Sequence, residues 1–84
     1  MKVILKPGEM SQLYAIDKAE QLIIKNFRNI NCKASATFYP EKPGHDTVDF
    51  TGDDVFALDS QFSSVAFYWV DCSDDEISFD FESM

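Results

Sequence analysis

Lysine and arginine are missing from the second half of this chain. Lys2, Lys6, Lys18, Lys25, Arg28, Lys33 and Lys42 are all its basic residues, and none follows residue 42. Beyond that point come Asp46, Asp49, Asp53, Asp54, Asp59, Asp71, Asp74, Asp75, Glu76, Asp80 and Glu82, and the net charge is −8. Charge of one sign that cannot be cancelled locally projects a field from whichever surface carries it. Direct binding of nucleic acid or anionic lipid is therefore disfavoured, because phosphate would be repelled.

Other scarcities exclude further classes. Apolar runs extend only a few residues, so none spans a membrane, and Met1–Leu5 is too short in its apolar part for a secretory signal. Gly8, Gly44 and Gly52 are the only glycines, too few and too scattered for a phosphate-cradling loop. Cys32 and Cys72 show no metal or redox spacing. Cys32 falls on the apolar side of a strand pattern, where a thiol behaves as a small hydrophobe. Free thiols in a reducing cytoplasm are expected, with a disulfide as the alternative. His45 is the sole histidine and lies in a loop, without an orienting partner for catalysis. Cys72 has acidic neighbours that would suppress its nucleophilicity. No enzyme activity and no cofactor is expected.

What is present suits one folded domain spanning residues 1–84. The chain is 45% hydrophobic and 14% aromatic, too apolar for a disordered acidic tail. Val3–Leu5 reads as a strand, and Pro7-Gly8 as a turn. Leu13–Ile16 suggests a second short strand or the first turn of a helix. Asp17 and Glu20 form a capping-box variant that predicts a helix from Asp17 to about Arg28 or Asn29. Ala19, Leu22, Ile23, Ile24 and Phe27 would make its apolar face.

From Asn31 the period becomes two. Cys32, Ala34, Ala36 and Phe38 alternate with Lys33, Ser35, Thr37 and Tyr39, and Asp46–Phe50 follows as the hairpin partner. Val55–Leu58 fits either a strand or a helical turn. Val65–Val70 has the continuous hydrophobicity of a central strand. Ile77, Phe79 and Phe81 alternate with Ser78, Asp80 and Glu82, and a final hairpin joins these last two segments. The expected fold is α+β in two layers: one helix packed on an antiparallel sheet of about five to six strands.

Candidate site residues are for partner binding. Asp80 and Glu82 share one side of the last strand about 6.6 Å apart, a spacing similar to that of successive phosphates in a nucleic acid. Asp49 would join that face if its strand were adjacent, and Asp71, Asp74, Asp75 and Glu76 crowd one turn. Tyr39 and Tyr68, on outward faces, would anchor a contact with a partner arginine. The alternative is a solvated acidic surface that serves solubility. Oxygen ligands for a hard cation also occur in Asp71-x-x-Asp74-Asp75-Glu76 and in Gly52-Asp53-Asp54 with Asp59, but without a calcium-loop layout.

The tail Asp74-Asp75-Glu76-Ile77-Ser78-Phe79-Asp80-Phe81-Glu82 resembles the acidic terminal strand of immunity proteins against nuclease bacteriocins. The short, acidic profile is similar in style to phage anti-CRISPR proteins. Both resemblances imply an inhibitor that blocks a basic, nucleic-acid-handling protein by mimicking nucleic acid, a host-defence effector first and a nuclease toxin second. The competing expectation is a non-inhibitory acidic module that self-associates, for instance as a homodimer, through its strand edges.

Overall fold

Alternating segments become strands throughout, and so does the segment expected to be helical. The structure is a computed structural model and describes residues 1–28, 31–40, 46–58, 61–73 and 75–84. Its elements are β1 (Lys2–Leu5), β2 (Tyr14–Ala15), β3 (Gln21–Lys25), β4 (Cys32–Pro40), β5 (Asp46–Phe50), β6 (Asp54–Ala57), β7 (Phe62–Cys72) and β8 (Ile77–Ser83). They form two four-stranded antiparallel sheets, ordered β1-β8-β3-β6 and β2-β7-β4-β5. The α+β expectation is thereby corrected: among the described residues there is no helix, and the two layers are both sheets.

The physical reason lies in the turn before β3. Asp17 and Lys18 have φ of 47° and 60°, and the Ala19 amide donates to the Ile16 carbonyl at 3.0 Å. Two consecutive left-handed residues closed by that bond make a mirror-image turn, which cannot start a right-handed helix. Leu22–Ile24 is a short apolar run that fits either period. Pairing decides it, since β3 is bonded on both edges, to β8 and to β6. Leu22 and Ile24 face inward at 0% and 1% exposure.

The strand order gives nested hairpin pairs, β1 with β8, β2 with β7, β3 with β6 and β4 with β5. β4 and β5 pair as the sequence suggests. β7 and β8 do not: consecutive in the chain, they lie in different sheets, so the expected final hairpin is absent. This wrapped double hairpin is a jelly roll, in which two sheets close over one core. The turn at Pro7-Gly8 forms as expected, with Gly8 at φ 72° and the Glu9 amide bonded to the Lys6 carbonyl at 2.8 Å. A glycine there meets the positive φ of a type II turn without steric cost.

Aromatic rings fill the space between the sheets. Phe67 of one sheet meets Phe79 of the other at 5.0 Å and 75°, while Phe50 meets Phe79 at 5.2 Å and 88°. Edge-to-face pairs of this type add about 0.5–1.5 kcal/mol each beyond their buried area. Ala34 and Ala36 leave room for these rings; they pair in register with Trp69 and Phe67 and are fully buried.

Cys32 and Cys72 are directly opposite in register and form a disulfide across 40 residues of chain. This corrects the expectation of free thiols. A register shift between Lys33 and Ala34 inserts one extra residue in β7, between Trp69 and Asp71. Such a bulge reverses the in–out alternation, so Trp69 and Cys72 both turn toward the core. No helix of the described residues is long and apolar enough to cross a membrane.

Candidate functional site

The jelly roll distributes the acids over separate surfaces. On the outer face of the β1-β8-β3-β6 sheet, Asp80 stands between Lys2 and Lys25 in register. It also accepts a hydrogen bond from the Asn26 side-chain amide at 2.8 Å. Glu82 pairs with Lys25 at 2.7 Å. Asp49 lies on the outer face of the other sheet, where it meets Lys33 at 3.6 Å. Asp49 therefore does not extend the Asp80–Glu82 row, and these three strand-face carboxylates all have cationic neighbours. The single phosphate-like array is not formed.

A second group of acids converges at one end of the sandwich. Leu5 opposes Ile77, Ile24 opposes Asp54 and Cys32 opposes Cys72. The β1–β2, β3–β4, β5–β6 and β7–β8 connections thus share that end. It carries Asp53, Asp54, Asp71, Asp75 and Glu76, all exposed. Lys6 and Arg28 are the cations on these connections. Asp53 accepts the Phe27 amide at 2.9 Å and Asp54 the Val55 amide at 2.8 Å. Among the described residues, none of the five carboxylates forms an ion pair. Asp74, like His45 and Asp59, lies outside the described residues.

The tyrosines come together on the outer face of the β2-β7-β4-β5 sheet. Tyr39 and Tyr68 are half-buried and their hydroxyls are 3.1 Å apart. Thr37 and Thr47 share a 3.0 Å hydroxyl contact beside them. The Tyr39 hydroxyl holds the Tyr68 phenol above its ordinary pKa, and burial adds to this; a Thr37 hydrogen bond acts in the opposite direction. The pair offers a polar aromatic surface beside Asp49 and Lys33, apart from the acid-rich end.

Sequence reasoning considered Asp53 and Asp54 as metal ligands but not as neighbours of Asp75 and Glu76 at one end. The signal available was topological: hairpin connections of odd order fall at one end. It also missed a cavity of about 270 Å³ at the other end, between edge strands β5 and β6.

These features define a small jelly-roll domain with an acidic loop end and a lateral cavity. No protein-family model matches the chain, nor does any curated protein. Solved structures match in fold. Peruvianin-I, a cysteine peptidase from Thevetia peruviana latex, superposes with a TM-score of 0.65 at 16% identity, over 98% of this chain and 46% of that one. Drosophila melanogaster CENP-C bound to CAL1 gives 0.64 at 8% identity, over 99% and 62%, and the CENP-C domain is a cupin domain. Bacillus subtilis oxalate decarboxylase, with Mn(II) centres, gives 0.58 at 17%, over 99% and 22%. The chain spans 46% of the length of the first of these chains and 62% of the second. At such identities the likeness is one of fold.

The chemistry of two of these neighbours can be tested against the residues present. A cysteine nucleophile needs a thiolate, and both cysteines here are in the disulfide. A Mn(II) centre needs several oxygen or imidazole donors. Among the described residues no three His, Cys, Asp or Glu are grouped to hold a metal, and the space between the sheets is lined by apolar side chains. The residues do not fit a metal centre there.

Proposed function

We propose that this domain is a non-catalytic interaction module that docks a basic partner on its acidic loop end. The observation that carries this reading is the placement of Asp53, Asp54, Asp71, Asp75 and Glu76 on that one end, without ion pairs among the described residues. Of the strand-face acids, Glu82 pairs with Lys25 and Asp49 with Lys33; at the loop end, Asp71 opposes Lys33 in register. Unpaired exposed carboxylates on neighbouring connections steer cationic partners and raise association rates. A rigid two-sheet frame, cross-linked at Cys32–Cys72 beside the same end, keeps the connections in fixed relation. That disulfide favours an oxidising compartment over the cytoplasm expected from sequence. A jelly roll can serve protein binding, as in the CENP-C complex with CAL1.

The test uses a fluorescein-labelled Lys/Arg-rich peptide and fluorescence anisotropy. Binding should weaken about tenfold between about 50 and 300 mM salt, as screening shortens the reach of the field. A variant carrying Asp53→Asn, Asp54→Asn, Asp75→Asn and Glu76→Gln should lose binding. The Asp80→Asn, Glu82→Gln variant should keep it. Equal loss in both variants, or affinity indifferent to salt, would overturn the reading.

A further inference from the structure

The cavity lies at the end of the sandwich remote from the acidic connections. Phe38 near the end of β4, Phe62 at the start of β7 and Phe56 of β6 supply three rings, with Val48 of β5 between the sheets. Phe38 and Phe62 are in contact, with centroids 5.4 Å apart and planes tilted by 39°. Asp46 is the only charged residue of the lining among the described residues, and Gln61 adds an amide.

The position of Asp46 follows from register. It pairs with Phe38, and Val48 pairs with Ala36, so Asp46 is placed on the core-facing side of β5. A carboxylate at a core-facing position of an edge strand brings negative charge to the mouth of an apolar cavity. Among the described residues it has no ion pair. Among the described residues the lining has no cation, so an anionic ligand would find no opposite charge from them. A cation, in contrast, finds a carboxylate and aromatic side chains together, the combination that recognises organic ammonium ions. The volume, about 270 Å³, is just under the usual lower bound of about 300 Å³ for ligand sites, which limits the occupant to a compact molecule.

We infer that the β5–β6 cavity binds a small organic ammonium ion, with its apolar body among Phe38, Phe56 and Phe62 and its charge at Asp46. The site is separate from the acidic loop end and stands or falls independently of the docking proposed there.

The experiment is a titration of ¹⁵N-labelled protein followed by amide chemical shifts, with 2-phenylethylamine, 2-phenylethanol and 3-phenylpropionate as probes. Shifts for the amine should centre on Val48, Phe56 and Leu58, with affinity roughly tenfold above that of the alcohol, and the propionate should not bind. Asp46→Asn should bring amine and alcohol to similar affinity. Val48→Trp should abolish both by filling the cavity, and the variant's dispersed spectrum would show that it folds. Equal binding of amine and alcohol by the unmodified protein would overturn the inference. So would amine shifts confined to Asp75 and Glu76, or no shift at about 10 mM probe.

Discussion

Reduction of the Cys32–Cys72 bond should destabilise the domain severely. The bond joins residues separated by 40 positions. Closing a loop of that length in the unfolded chain removes entropy worth about 4 kcal/mol at 25 °C. A domain of this size shifts in melting temperature by about 4–8 °C per kcal/mol, so the loss is on the order of 15–30 °C. Residual compactness of the unfolded state would bring the result toward the lower end. The assay is urea unfolding with and without a phosphine reductant, followed by the fluorescence of Trp69, the sole tryptophan, which is half-buried against the core. Thiol titration of the unfolded, unreduced protein should find no free cysteine. A Cys32→Ala, Cys72→Ala variant should match the reduced protein within about 1.5 kcal/mol, because a buried thiol packs as a small apolar group. A shift below about 1 kcal/mol in both cases would refute the reasoning, since a cross-link that costs so little to remove does not constrain the unfolded chain.

Three further outcomes follow from the same geometry. Phe67→Ala, at 0% exposure and in contact with Phe79 and Phe81, should cost about 3–5 kcal/mol in urea unfolding, through lost burial and an unfilled cavity. Lys25→Met should cost only about 0.2–1 kcal/mol and less at high salt, because its pair with Glu82 is about half exposed at both ends. For Tyr68, ultraviolet titration should show ionisation above the ordinary range, and Tyr39→Phe should lower it, since the Tyr39 contact is the main cause of the shift. The folded state holds this proton more tightly than the unfolded chain, so stability should decline as pH rises past about 10. Tyr68→Phe should remove that component.

Much of the strand pattern was legible. β4, β5, β7 and β8 follow from alternation or continuous hydrophobicity, and Tyr39 and Tyr68 do face outward from the core. β3 was illegible because Leu22, Ile23 and Ile24 satisfy both periods, and Asp17 serves a mirror-image turn as well as a helix cap. The disulfide was hidden by the bulge before Asp71. Counting by twos from Phe67 and Trp69 places Cys72 on the outer side, and one inserted residue returns it to the core. The acidic end was hidden for a different reason: Asp53–Asp54 and Asp75–Glu76 are far apart in the chain and come to the same end only through the strand order.

From composition and alternation alone came the apolar residues, the periods of β4, β5, β7 and β8 and the one-sided excess of acids, because these depend on residue type and local period. Only tertiary structure decided that β3 is a strand, that Asp80 and Glu82 sit beside lysines, and that the loop acids and the Asp46 cavity occupy opposite ends. Those outcomes depend on which edges pair across long stretches of chain, and side-chain alternation does not specify that pairing.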